Sequence, residues 1–268
     1  METIEGIEIV PFEEMCGFYI TNFSDALKTR IRDRLVKICR GISDFNFPTI
    51  RTSYKGTVKE LYKRIKNKSH ETQLGMVGEL LTHTLIDFYF PEYLAVSAMF
   101  NLEESSIKKG FDLVLQKEGE LWINEVKSGE IHKDETHTET IIDLIKDARS
   151  DLNERLNNGK TQLWDNAIVH ARNCLSNYSD EKQIVESILN TKYEDVLMEP
   201  KQGKNTNVFL TGALFHNTNE KVDFDNVLDE CKKIKSKQEF KSVFVISIQK
   251  SAIDNVIRFL REESEWKD

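Results

Sequence analysis

Two short stretches that alternate apolar and polar positions open the chain. IEIVPF and FYITNF, within residues 6–23, are broken by Glu13–Glu14 and Gly17 and predict two short strands. Residues 25–40 change period. Leu27, Ile31, Leu35 and Ile38 fall on one face of a helix, charges fill the other, and Ser24 is the predicted cap. A loop with Pro48 leads to RTSYKGTVKELYKRIKNK (51–68), rich in Lys and Arg around Tyr54 and Tyr62. That run reads either as a solvated helix face or as a phosphate-backbone contact. The strongest helix signal covers 70–90. Leu74, Val77, Leu81, Leu85 and Phe88 form one apolar stripe, and Gly75, Gly78, Glu79, Thr82 and Ile86 form a second track beside it. The small residues of that track would let the helix sit close against a sheet, and Pro91 ends it.

Three strands are predicted next, over 94–102, 111–116 and 120–127, the last two joined by a turn at Gly119. Helical spacing returns from 138, through Ile141, Leu144, Ile145, Ala148, Leu152 and Leu156, and helices fit 163–175 and 181–197. The remainder alternates: strand 207–215, helix 224–237, strand 242–249, and a last helix capped by Ser251. This order predicts an α/β fold, a mixed sheet covered by helices on both faces.

Composition narrows the class. In 268 residues, 39% are apolar and 31% charged, with only 12 Gly and 4 Pro, which excludes a disordered, collagen-like or low-complexity chain. No apolar stretch is long enough to span a bilayer. The opening METIEGIEIVPFEE lacks the basic-then-apolar order of a secretion signal, so a cytoplasmic location without a membrane partner is expected. Cys16, Cys39, Cys174 and Cys231 are scattered and read as reduced thiols. With 37 Lys and Arg against 45 Asp and Glu, the formal net charge is −8. A field of that sign opposes free-standing, tight binding to nucleic acid; local charge, metal ions or a partner must supply the attraction.

The chemistry concentrates in Glu79, Gly110-Phe111-Asp112 and Glu125-Val126-Lys127. Alternation in ELWINEVK (120–127) places Glu125 and Lys127 on one face of an apolar strand, where neither charge can be left bare. Asp112 begins the neighbouring strand of the hairpin and can stand beside Glu125. Glu79, on the preceding helix, would bring a third carboxylate. Clustered carboxylates repel, and a hard divalent cation is the usual remedy; oxygen donors suit Mg²⁺ or Mn²⁺. A metal so held activates water and neutralises charge on a phosphodiester. Other chemistries find less support. No Ser, His and Asp stand in triad order, no P-loop occurs, and a glycosidase has no use for a lysine two positions after its acid. His83, His132, His137, Asp147 and Asp151 read as structural or surface residues.

The order GE (78–79), GFD (110–112) and EVK (125–127) resembles the three motifs of the PD-(D/E)XK nuclease superfamily, with Phe111 standing where that family often has proline. The resemblance implies a restriction-endonuclease-like core over 69–268 with an N-terminal extension over 1–68. It also implies Glu79, Asp112, Glu125 and Lys127 as catalytic residues, with Glu79, Asp112 and Glu125 holding Mg²⁺ or Mn²⁺. More narrowly, GELLTHTLIDFYFP and FDLVLQKEGELWINEVKSG are similar to the HamA family, nuclease subunits of Hachiman anti-phage systems that work beside a helicase, HamB. The function this implies is metal-dependent cleavage of DNA by an effector restrained by its helicase partner. The alternative is an inactive nuclease fold that binds DNA or docks in the same complex.

Overall fold

The computed structural model describes residues 3–100, 110–131, 134–175 and 179–266. Strands β1 (Ile7–Pro11) and β2 (Met15–Ile20) lead into helices α1 (Asp25–Arg40), α2 (Ile42–Asn46), α3 (Tyr54–Ile65) and α4 (His70–Tyr89). Then come β3 (Leu94–Ala95), β4 (Leu113–Lys117) and β5 (Glu120–Gly129), followed by α5 (His137–Asn157), α6 (Gln162–Cys174) and α7 (Ser179–Met198). The chain closes with β6 (Asn207–Phe215), α8 (Phe224–Ser236), β7 (Ser242–Lys250) and α9 (Asp254–Glu265). The strands form one seven-stranded sheet in the order β1-β2-β7-β6-β5-β4-β3. The four central strands are parallel to one another, while β1, β4 and β3 join antiparallel at the two edges. The fold is the predicted α/β mixed sheet with helices on both faces.

Each face has its own core. Phe209, Ala213 and Phe215 of β6 pack on one side with Leu74, Val77, Leu81 and Leu85 of α4, together with α1, α3 and α9. Val208, Leu210 and Leu214 pack on the other side with Ile141, Ile145 and Ala148 of α5 and with α6 and α8. Strand β6 is buried at every position, as a central parallel strand covered on both faces must be. Two glycines set how closely the helices approach. A Cβ on Gly78 of α4 would run into Ser128 Oγ on β5, and one on Gly212 of β6 would lie 3.0 Å from Ile145 Cγ1 and 3.2 Å from the Ile141 carbonyl of α5. Gly75, on the same small-residue track, would meet nothing within 4 Å, so only Gly78 performs the predicted close approach.

The predicted strand over 94–102 is mostly not a strand. Pairing stops because Ser97 Oγ takes the Val114 N–H at 2.9 Å in place of a backbone carbonyl. The chain then turns to α1, where Met99 and Phe100 donate their N–H groups to the Ile38 and Cys39 carbonyls at 2.9 and 3.1 Å and satisfy that helix end. Residues 101–102 lie outside the described residues. Ser24 caps α1 as predicted, accepting from Leu27 N. Ser251 does not cap α9, which starts after Ile253. Instead the buried Lys250 Nζ organises that turn, donating to the Ser251 and Ala252 carbonyls at 3.0 Å and to Asn255 Oδ1 at 2.7 Å. Among the described residues no helix is long and apolar enough to cross a membrane.

The two α4 glycines separate helix propensity from packing. Gly75→Ala should raise stability by roughly 0.5–1 kcal/mol, the ordinary gain for a helix interior. Gly78→Ala should fall about 1–3 kcal/mol below Gly75→Ala, because the methyl overpacks the Ser128 contact. Adding Ser128→Ala to Gly78→Ala should recover part of that loss in urea unfolding; equal stability of the two glycine variants contradicts the packing described.

Candidate active site

The β4–β5 hairpin turns at Glu118 and Gly119, with φ of 50° and 81°. Two consecutive residues of positive φ suit the tight turn that matches strand twist, which is why Gly stands here. The register runs from Lys117 opposite Glu120 to Leu113 opposite Asn124, and one step further sets Asp112 beside Glu125. Asp112 Oδ2 accepts the Val126 N–H at 2.8 Å, so the carboxylate continues the ladder where the backbone pairing ends.

Glu125 and Lys127 fall on the same face as Leu121 and Ile123, the face covered by α5. Glu125 is 4% exposed. Its Oε1 lies 3.5 Å from Lys127 Nζ, and its Oε2 accepts from Arg155 Nη2. Arg155 is on α5, and its Nη1 also donates to the Gly110 carbonyl at 3.2 Å, tying the helix to the segment just before Asp112. Lys127 donates to Asp151, one turn earlier on α5. Three carboxylates and two cations thus alternate across the β4, β5 and α5 junction.

Burial and the neighbouring Asp112 charge push the Glu125 carboxyl up to about 8, against the opposing pull of Arg155 and Lys127. For Lys127 burial acts to lower the value, but the Asp151 hydrogen bond and the Glu125, Asp151 and Asp112 charges outweigh it and hold it raised. The ammonium is therefore kept charged beside an acid that is reluctant to ionise. A cation placed between Asp112 and Glu125 would offset that reluctance.

Glu79 is not drawn into this group. It lies on α4, which packs through Gly78 and Ser128 on the opposite face of β5, and its Oε1 lies 3.8 Å from His83 Nε2. Both Glu79 Oε1 and His83 Nε2 are buried without a hydrogen-bond partner. Among the described residues no group of three or more His, Cys, Asp or Glu is gathered as a metal site. The Asp112–Glu125 pair still fits a hard cation, because Mg²⁺ is commonly held by one or two carboxylates plus substrate phosphates.

Asp151 and Arg155 escape sequence reasoning as site residues, although their i,i+4 spacing flanks the apolar stripe through Ala148 and Leu152 and so faces the β5 edge. Asp147, one turn before, remains exposed. His137 is structural: it begins α5, is buried, and its Nε2 lies 3.0 Å from His216 Nδ1 while its Nδ1 lies 3.2 Å from Glu220. His132 lies outside the described residues.

A helix, an antiparallel strand unit, then a helix and a parallel strand, with an acid and a lysine sharing one face of the central hairpin strand, has the class of a PD-(D/E)XK nuclease-like core. The HamA family model matches residues 5–263, and the chain belongs to that family, a component of Hachiman antiviral defence whose general assignment is to the PD-(D/E)XK superfamily. No curated protein matches the chain.

The displaced Glu125 carboxyl gives a pH signature without any substrate. Between its ordinary 4.5 and about 8 the folded state holds a proton that the unfolded chain releases, so this group costs stability as pH rises through that window. Glu125→Gln removes the slope. In chelator, its stability relative to the parent should grow by more than about 1.4 kcal/mol from the bottom to the top of the window, the equivalent of one pKa unit. Parallel stability curves for the two proteins would contradict the buried, Asp112-opposed environment.

Proposed function

We propose that the chain is a metal-dependent DNA nuclease, the effector of its defence system, restrained by a helicase partner. The observation that carries this reading is the pairing of Asp112 and Glu125 on one sheet face with Lys127 charged at their side. Asp112 and Glu125 would hold Mg²⁺ or Mn²⁺, with the substrate phosphate completing the donor set. Bound there, a divalent cation supplies an acidified water and neutralises charge on the scissile phosphate. Lys127 stands where it can orient the attacking water or stabilise the negative charge that develops at phosphorus. Asp151, half-exposed, holds the ammonium in place. Hydrolysis joins the water oxygen to phosphorus and breaks one phosphodiester P–O bond, the leaving oxygen taking a proton from solvent.

Restraint and recruitment are the partner's part of the proposal. A net charge of −8 weakens unaided attraction to DNA. The N-terminal segment and the tail helix pack together through α3 and α9, and the tail-helix end of this pair, at Trp266, which is 66% exposed, is proposed to meet the helicase. A second reading draws on one contact: Arg155 already offsets the Glu125 charge from within the chain, as a docking subunit without metal chemistry would require.

Plasmid degradation in Mg²⁺ and in chelator, with and without the helicase, separates the two. Lys127→Ala should fold normally and lose about 10²–10³ in rate, the usual cost of one electrostatic donor; near-parent cleavage refutes the mechanism. Asp112→Asn, which keeps an acceptor for the Val126 N–H, and Glu125→Gln should each weaken Mg²⁺ binding in calorimetry. Unchanged affinity in both favours the docking reading.

A further inference from the structure

Helix α3 buries Val58, Leu61 and Ile65. At about 100° per residue, Lys59, Lys63 and Lys66 lie within an arc of roughly 60° on the opposite side, and all three are exposed. The other charges of the helix are committed elsewhere. Lys55 Nζ donates to the Glu263 carbonyl at 3.0 Å and to that of Trp266, and Glu60 is held by Arg64 at 2.9 Å. No carboxylate shares the outward arc, and among the described residues none of the three lysines forms an ion pair. A solvated helix face normally mixes signs, and like charges at i,i+4, as Lys59 and Lys63 are, cost a few tenths of a kcal/mol (about 0.2–0.5). A stripe of lysines outside any ion pair, in a chain of net charge −8, is therefore a local reversal of the protein's field.

The stripe also leads somewhere. Lys66 and Lys68 run into the start of α4, where His70 Nε2 lies 3.0 Å from Glu130 Oε1. Glu130 directly follows β5, so the lysines approach the strand end that carries Lys127. From Lys59 to Lys66 the helix rises about 10.5 Å, close to three phosphate steps at about 3.4 Å per strand.

We propose that Lys59, Lys63 and Lys66 form a track for a nucleic-acid backbone that leads toward the Asp112–Glu125–Lys127 site. The choice of a phosphate polymer rests on the nuclease reading above. The rise of about 10.5 Å along the stripe, close to three phosphate steps of about 3.4 Å, commits the face to that occupant over an acidic protein surface.

The test is binding of a short labelled DNA duplex by the full chain in chelator, followed by fluorescence anisotropy across a salt series. The Lys59→Gln/Lys63→Gln/Lys66→Gln variant should lower the slope of log affinity against log salt by about 2.7, close to 0.9 per lost phosphate contact. Lys232→Gln/Lys233→Gln, which removes exposed lysines of α8 paired to Asp229 and Glu230, should leave the slope unchanged. Circular dichroism checks that both variants fold. An unchanged slope in the triple variant, an equal loss in the α8 control, or no salt-dependent binding by the parent overturns the track. So does a triple variant that keeps DNA binding and loses capture of the helicase, which would assign the stripe to a protein. A parent that binds through the stripe yet never cuts, with Mg²⁺ and helicase present, refutes the nuclease reading and leaves the track standing.

Discussion

Glu125 is the constraint around which this molecule is arranged. A carboxyl sits almost fully buried on a strand of a hydrophobic sheet, directly beside a second acid. Such a group is costly unless charges and donors meet it. Arg155 and Lys127 meet it, and both are fixed by other contacts: Arg155 by the Gly110 carbonyl, Lys127 by Asp151. The helix α5 is thereby bound to the β4–β5 hairpin through charge as well as through its apolar stripe. Removing any one member leaves another uncompensated, so the cluster behaves as a unit.

The sheet divides the labour. On the α5 face the core gives way, at one end of β5, to a patch of alternating charge, Glu125, Lys127, Asp151 and Arg155. On the α4 face the contact is close packing, with Gly78 against Ser128. Glu79 belongs to that second layer. Its neighbour His83, rather than the paired acids, defines its surroundings, and the two hold unpartnered buried atoms toward each other. Under the nuclease function proposed above, the site must be quiet at rest, and the internal cations on Glu125 and Asp151 would supply that quiet from the chain itself.

Most of the fold was legible in the sequence because the periodicities were strong. Strand β6 and its neighbour β7, the α4 stripe, and the α1 cap at Ser24 follow from pattern and local chemistry alone. The strand end after Ala95 was not legible, since its stop depends on Ser97 replacing a backbone acceptor and on a distant helix end needing partners. The same division holds at the site. Asp112, Glu125 and Lys127 are brought together by hairpin register and period-2 alternation, both local rules. Arg155 and Asp151 arrive from a helix separated by a loop, and only the packing angle of α5 on the sheet brings them in. Glu79 shows the converse: helix periodicity placed it on a track facing the sheet, but could not say which face of the sheet.

The assignment of Asp112 and Glu125 as the metal-holding pair of a nuclease can be checked in crystals of the full chain soaked in Mn²⁺ and measured at the manganese absorption edge. An anomalous peak is expected between the Asp112 and Glu125 carboxylates, with Arg155 drawn back from Glu125 Oε2. A structure in which Mn²⁺ binds elsewhere or nowhere, and Arg155 remains seated on Glu125, would contradict it.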